Sequence, residues 1–183
     1  MEISKVKTAN KMGSFVLRKN HKKYKISFNF LDQITKETKN HRKGRVYFFV
    51  VNDKIKKIGG SSDRKGIAGT IRLYTDYGRA GSNRFALHYL IYEELMKQNK
   101  VEVWMTTSPL VQGKISGLSD IKDGEIAAYM EMEELCKSEY FNSEKKYPDW
   151  NFKENGQKTP KIQMQDYAKH ISDYSDNYEN EDE

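Results

Sequence analysis

Two strand-like segments near the middle of the chain follow each other with only two residues between them. Residues 45–51 read RVYFFVV and residues 54–60 read KIKKIGG, on either side of an Asn-Asp pair. Short runs of β-branched and aromatic residues around such a pair predict a β-hairpin. A hairpin decides which side chains share a face of the sheet. The connection between these strands therefore decides whether Tyr47 and Lys57 lie together.

The loop length sets the pairing of Tyr47 and Lys57. A three-residue loop at 51–53 places Tyr47 opposite Lys57 on one face, whereas a two-residue loop pairs Phe48 with Lys57 and separates Tyr47 from Lys57. A joint role for the two residues therefore predicts an odd loop. Nearby positive charge would favour a tyrosinate and lower the phenol pKa from about 10, so that Tyr47 could accept a proton from water.

The composition suits one buried core. The 183 residues suggest a single domain with appendages, and 12 tyrosines and 8 phenylalanines can fill its interior. The single cysteine, Cys136, excludes an internal disulfide and a multi-cysteine zinc site, and predicts a reducing, cytoplasmic location. No apolar run reaches the ~18 residues of a membrane span, and the N-terminus lacks the apolar core of a signal peptide.

Charge is unevenly distributed along the chain. The net charge is +6, but residues 1–45 hold 13 Lys/Arg against 3 Asp/Glu, while residues 166–183 hold 7 acidic residues and one lysine. A basic body favours a polyanionic partner, because released counterions drive such binding. A solvated basic surface is the alternative interpretation of the same charge.

The remaining pattern predicts a small α+β fold. From the N-terminus we expect a basic hairpin at 15–28, a polar loop at 31–44, the central hairpin, helices at 70–77 and 84–98, a strand at 101–105, a loop around Pro109 and a helix at 123–141. The first 13 residues and the segment after Asn151 are expected to be poorly ordered. The order β-β-α-α-β-α predicts a three-stranded antiparallel sheet flanked by helices.

Two further groups could act on a phosphate. Arg72 lies in a predicted helix beside Tyr74 and Tyr77, and a guanidinium suits a phosphate that gains charge in a transition state. In the acid-rich last helix, Glu133 and Glu125 fall on or beside the apolar stripe, where a carboxylate is costly unless it is paired or bound to a metal. Each residue type alone is commoner on a surface or in a core than in an active site.

The order and spacing of these residues resemble the GIY-YIG nuclease superfamily. Val46-Tyr47-Phe48 stands at the family's first motif, Lys57-Ile58-Gly59 at its second, and residues 148–151 (PDWN) resemble the Pro-x-x-Asn after its glutamate helix. The match covers about residues 45–151. The first glycine is replaced by Arg45 or Val46, and the second tyrosine by Lys57. A lysine there looks like the small type II restriction endonucleases of the Hpy188I type, which also carry a basic N-terminal segment.

The resemblance implies phosphodiester hydrolysis with one metal ion. Tyr47 would be the general base, and Lys57 with Tyr77 or Tyr74 would orient the water. Arg72 would hold the scissile phosphate. In the same scheme, Glu133 would bind Mg²⁺ (or Mn²⁺), with Glu125 as the alternative ligand, and Asn151 would support the site.

These expectations divide the chain into a basic extension at 1–44, a catalytic core at 45–155 and an acidic tail at 156–183. The hairpin 15–28 and the loop 31–44 are the expected source of sequence-specific DNA contacts. The expected function is Mg²⁺-dependent cleavage of double-stranded DNA by a restriction endonuclease, with a homodimer for the double-strand cut and no membrane contact. The alternatives are a non-catalytic nucleic-acid-binding module, or a homing or repair nuclease with the same core.

Overall fold

The computed structural model describes residues 1–18, 26–40, 44–75, 82–158, 164–166 and 168–169. In chain order its strands are β1 (Asn10–Leu17), β2 (Ile26–Phe30), β3 (Arg45–Val51), β4 (Lys54–Ser61), β5 (Val101–Thr107), β6 (Leu110–Ser116) and β7 (Ile121–Ala127). Its helices are α1 (Lys36–Asn40), α2 (Gly66–Thr75), α3 (Ser82–Met96) and α4 (Tyr129–Glu144). The α+β class is confirmed. Among the described residues, none of the helices is both long and apolar enough to cross a membrane.

The main sheet has five strands in the order β2-β1-β5-β3-β4, and every neighbouring pair is antiparallel. Strand β3 is buried along its whole length, as expected for a strand covered on both faces. On one face its odd-numbered residues pack against α2 and α3. On the other face its even-numbered residues pack against Tyr140 of α4. The two layers of core therefore meet across β3.

The prediction of an odd loop between β3 and β4 is wrong. Val51 pairs with Lys54, so the loop has two residues, and Asn52 and Asp53 have φ angles of 45° and 66°. Positive φ at both central positions is the type I′ turn that suits a twisted hairpin. A register shift in β4 then brings Lys57 back to the face of the sheet that carries Tyr47, because Lys57 pairs with Phe49. Opposed residues share a face, so Lys57 lies on the face of Phe49 and Tyr47 after all.

The N-terminal segment is part of the sheet. The predicted three-stranded sheet is too small, because β1 pairs with β5 and β2 pairs with β1. The first 13 residues are ordered by contacts with the core: Ile3 is buried, and its N–H donates to the Asp53 carbonyl at 2.9 Å. The predicted hairpin at 15–28 exists as β1 and β2, although residues 19–25 lie outside the described part. Apolar contacts of Phe15 and Ile26 with the core stabilise β1 and β2.

The segment after β5 also differs from its prediction. The loop expected around Pro109 is a second hairpin, in which β6 pairs with β7 from Leu110↔Ala127 to Ser116↔Ile121. The glycines of this segment suggested a loop, but its alternation of apolar and polar residues is a strand signal. Because the hairpin occupies residues up to Ala127, the last helix begins at Tyr129 and not at residue 123 as predicted. Glu125 consequently lies on β7, where it is exposed and pairs with Gln112.

Arg45 is a buried charged residue at the start of β3. Its side chain is 2 % exposed and points to the face that α2 covers. There it donates to the Asp63 carbonyl at 3.2 Å and to Thr70 Oγ1 at 3.5 Å. Charged side chains are buried at this level only when they are paired or hydrogen-bonded. Arg45 therefore fastens β3 to the start of α2.

Asn151 closes the edge of the sheet beside β4. Its side chain accepts from the Ile58 N–H at 2.9 Å and donates to the Ile58 carbonyl at 3.0 Å, and it is 1 % exposed. The Trp150 N–H donates to the Lys56 carbonyl at 2.8 Å. The segment at 148–151 thus satisfies backbone groups that an edge strand would otherwise leave unpaired.

Replacement of Asn151 by Ala is expected to lower the free energy of unfolding by about 2–4 kcal/mol, because it leaves a buried N–H and a buried carbonyl without partners. Urea unfolding followed by circular dichroism measures the change. The exposed Asn142 of α4 is the matched control, and its replacement by Ala should change stability by less than about 0.5 kcal/mol. Equal effects at both positions would contradict the role given to Asn151.

Candidate active site

Two tyrosines form the centre of the site. Tyr47 of β3 and Tyr74 of α2 are 5 % and 7 % exposed, and their hydroxyl oxygens are 2.6 Å apart. The distance is typical of a short O–H···O hydrogen bond. Tyr74 belongs to the buried face of α2, which packs on the odd-numbered residues of β3. Of the two tyrosines left open by the sequence, Tyr74 reaches Tyr47, whereas Tyr77 lies outside the described residues.

Gly59 makes room for the Tyr47 ring. Tyr47 and Gly59 are opposite each other in the β3–β4 pairing. A Cβ at Gly59 would lie 2.5 Å from both Cζ and the hydroxyl oxygen of Tyr47, which is closer than side-chain carbons approach other atoms. A glycine is therefore required at position 59 because the Tyr47 ring lies across it.

The lowered pKa that we expected for the Tyr47 phenol is wrong, because the surroundings of Tyr47 raise this pKa. Burial raises the pKa of the Tyr47 phenol well above 10.0, and Tyr74 and Glu133 raise it further, whereas Arg84 lowers it. Burial also raises the pKa of Tyr74. Sequence reasoning counted positive charge and omitted desolvation, which disfavours a buried phenolate. In the substrate-free protein, both tyrosines are therefore neutral hydroxyls at neutral pH.

Lys57 lies close enough to two carboxylates, Glu154 and Glu133, to feel their charge. The residue is half-buried, and burial lowers its pKa, while Glu154 and Glu133 act in the opposite direction and Lys137 acts with burial. The charges of Lys57 and Glu133 are thus close enough to influence each other. Because β4 is the last strand of the sheet, groups from α4 can approach Lys57 around that edge.

Glu133 is the carboxylate that α4 directs at this edge. Its side chain is half-buried, whereas Glu131 and Glu134 are exposed. A Cβ at Gly60 would collide with Glu133 Oε2, so the glycine leaves space for this oxygen. The other oxygen, Oε1, lies 2.8 Å from Lys137 Nζ. Burial is the main cause that raises the pKa of Tyr47 and Tyr74, and the charge of Glu133 raises it further.

Arg72 occupies a different place from the tyrosine pair. It is exposed on α2 and lines an open cleft of about 380 Å³ with Asn40, Arg64, Lys65 and two small residues of α2. Arg72 and Tyr74 are about 200° apart around the helix, so they point in different directions. The cleft is basic and adjoins the turn that connects β4 to α2.

Arg84 is a charged residue near the tyrosine pair that the sequence did not single out. It lies in the first turn of α3, and its guanidinium lowers the pKa of both Tyr47 and Tyr74. One helical turn later, His88 Nδ1 is 2.6 Å from the Tyr74 carbonyl oxygen, which ties α3 to the end of α2. Residues four apart share a helix face, so Arg84 lies on the face of α3 that carries His88. A signal in the sequence was the i,i+4 spacing of Arg84 and His88.

The donors at this edge suit a hard divalent cation. Among the described residues, no group of three or more His, Cys, Asp or Glu side chains could hold a metal ion. Mg²⁺ retains several waters and is often held by one or two carboxylates, so a single carboxylate is sufficient. Glu133 Oε2 is such an oxygen, and it packs against Gly60. The residues present therefore fit a Mg²⁺ ion, and Glu125, on the exposed hairpin, does not share this position.

Comparisons with known proteins identify the fold. No protein-family model matches the chain, and no curated protein matches it. A solved structure of a variant of bacteriophage T4 EndoII is 17 % identical, with a TM-score of 0.52, and the match covers 82 % of this chain and 99 % of that one. Restriction endonuclease Hpy188I in complex with product DNA is 21 % identical, with a TM-score of 0.45, and the match covers 81 % and 84 % of the two chains. The chain shares the fold of T4 EndoII.

Proposed function

We propose that this protein is a Mg²⁺-dependent DNA endonuclease of the GIY-YIG type. The observation that carries the proposal is the meeting of Tyr47, Tyr74, Lys57 and Glu133 around the end of β4, with Gly59 and Gly60 clearing space for two of them. The fold shared with T4 EndoII, a DNA endonuclease, supports it. A restriction enzyme that cuts both strands as a homodimer is the form we favour.

In this proposal each residue has a defined task. Tyr47 accepts the proton of the attacking water, and the Tyr74 hydroxyl and the Lys57 ammonium orient that water. Arg84, beside the tyrosine pair, stabilises the charge that develops on the scissile phosphate. Asn151 holds β4 in place and does not contact the substrate.

Glu133 Oε2 would hold the metal ion, which supplies a Lewis acid for the phosphate and the leaving oxygen. For Arg72 we propose a different task from the one expected from the sequence. With Arg64 and Lys65 it lines the basic cleft, where it would contact neighbouring phosphates of the DNA backbone. Such contacts position the duplex and do not participate in the chemical step.

Plasmid cleavage tests the proposal. The purified chain should convert supercoiled plasmid DNA to nicked or linear forms with Mg²⁺, and EDTA should stop the reaction. A non-catalytic nucleic-acid-binding module would instead bind DNA in a salt-sensitive manner. It would not cleave DNA with any divalent metal. Binding without cleavage under Mg²⁺ and Mn²⁺ would overturn the proposal.

The two arginines should separate chemistry from binding. Arg84→Ala is expected to lower the single-turnover rate at saturating protein by about a hundredfold, the cost of removing one transition-state donor. Arg72→Ala should mainly weaken DNA binding and reduce its salt dependence. If Arg72→Ala lowers the single-turnover rate at saturating protein more than Arg84→Ala does, Arg72 and not Arg84 contacts the scissile phosphate.

A further inference from the structure

A buried lysine lies directly behind the proposed metal ligand. The Lys137 side chain is only 9 % exposed, in the middle of α4. Its ammonium is 2.8 Å from Glu133 Oε1, 2.8 Å from Glu154 Oε1 and 3.0 Å from Glu134 Oε1. An ammonium has three donors, so one carboxylate can be matched to each. A buried charge is costly unless paired, and these contacts explain how Lys137 is tolerated.

The three carboxylates differ in how firmly they are placed. Glu134 is 74 % exposed, so solvent screens its ion pair and the contact contributes little. Glu133 and Glu154 are 20 % and 26 % exposed. Glu154 lies in the turn that follows Asn151, the residue that closes the edge of β4. Lys137 therefore connects Glu133 to the same segment that fixes β4.

This contact assigns different tasks to the two oxygens of Glu133. Oε1 faces Lys137, and Oε2 lies over Gly60. A glutamate side chain has three rotatable bonds, and ordering it costs conformational free energy. An ammonium that holds one oxygen reduces this cost at the moment of binding. The second oxygen, Oε2, is then left for another ligand on the side of Gly60.

We propose that Lys137 is a positioning residue that holds Glu133 through Oε1, so that Oε2 is presented to a divalent cation, and that Glu154 anchors Lys137. The proposal rests on the proposed function, because it takes Glu133 as the metal ligand. Lys137 itself contacts neither the metal nor the DNA. Groups that orient a ligand in this manner typically contribute 10- to 100-fold to metal affinity or activity.

Mn²⁺ binding by the full chain without DNA tests the proposal independently of cleavage. Isothermal titration calorimetry should show Mn²⁺ binding to the wild-type protein and its loss in Glu133→Gln. Lys137→Met should weaken Mn²⁺ affinity about 10- to 100-fold. Glu154→Gln should weaken it in the same direction by a smaller factor. Glu134→Gln, which removes the exposed partner of the same lysine, should leave affinity unchanged and is the matched control.

Thermal unfolding of each variant checks that it is folded at the titration temperature. If Lys137→Met does not fold, Glu154→Gln decides the question, since it leaves Lys137 with Glu133. Mn²⁺ affinity equal to or tighter than wild type in the folded Lys137→Met protein, or in Glu154→Gln when only that variant folds, would overturn the proposal. Unchanged affinity in Glu133→Gln would overturn the metal assignment itself, and the role of Lys137 with it, so the two failures are distinguishable.

Discussion

Glu133→Gln is expected to lower the rate of Mg²⁺-dependent plasmid cleavage by about a thousandfold or more. Glutamine keeps the shape of the side chain and removes the charge, so Oε2 is replaced by a much poorer ligand for Mg²⁺. A metal ion contributes several kcal/mol of charge stabilisation to a phosphoryl transition state, and about 4 kcal/mol corresponds to a thousandfold in rate. Initial rates measured over a Mg²⁺ titration would separate weaker metal binding from a slower chemical step.

The matched control for Glu133 is Glu131, an exposed acid in the first turn of the same helix. Glu131→Gln makes the same chemical change at a residue that points to solvent, and it should leave the rate within about twofold. A rate near wild type in Glu133→Gln at saturating Mg²⁺ would show that Glu133 does not contribute to the chemical step. An equal loss in both variants would indicate a general electrostatic effect of α4.

Tyr47→Phe is expected to lower the single-turnover cleavage rate by about 10²–10⁴-fold, the range of general base catalysis. The wild-type rate should also rise with pH. Burial raises the pKa of Tyr47 well above 10.0, so the ionised fraction at pH 7–9 is small and grows about tenfold per pH unit. The base acts in its ionised form, so the rate should follow that fraction upward and reach no plateau in this range. The residual rate of Tyr47→Phe should lack this dependence.

Tyr140 provides a buried tyrosine for comparison. It is 4 % exposed and packs in the core on the other face of the sheet, where burial, with Asp149 and Glu144, raises its pKa to about 12. Tyr140→Phe should keep both the rate and the pH dependence of the wild type, because its hydroxyl lies away from the site. A pH profile that is flat from 7 to 9 in the wild type would contradict a tyrosine base. Lys57 would then be the next residue to test, since burial lowers its pKa.

Several elements were predictable because their signals are local. The runs at 45–51 and 54–60 contain strand-forming residues around a two-residue turn, and the stripe of Met132, Cys136 and Tyr140 marks the inner face of α4. The alternation of apolar and polar residues, helical spacing and turn residues are signals that extend over only a few positions. They predict an element correctly when the tertiary structure is compatible with it. The same logic separated Glu133 from its exposed neighbours. It failed at 110–127, where glycines inside strands resembled a loop.

The register of the central hairpin needed the whole sheet. Turn chemistry alone predicts a two-residue loop with Tyr47 and Lys57 on opposite faces. The extra residue in β4 that reverses this outcome lies next to Asn151 and Trp150, which bind the backbone at Ile58 and Lys56. Those contacts come from a segment more than 90 positions away. No pattern within the hairpin could have indicated them.

The sequence by itself determined the residue types of the site, the hairpin that carries Tyr47 and Lys57, and the glycines that leave space beside them. The tertiary structure decided which residues meet: Tyr74 with Tyr47, and Glu133 with Lys137, which also contacts Glu154. It also decided that the pKa of both tyrosines is raised and not lowered, because desolvation depends on everything packed around a group. Local propensity acts over a few residues, whereas burial and charge act through space between segments far apart in the chain.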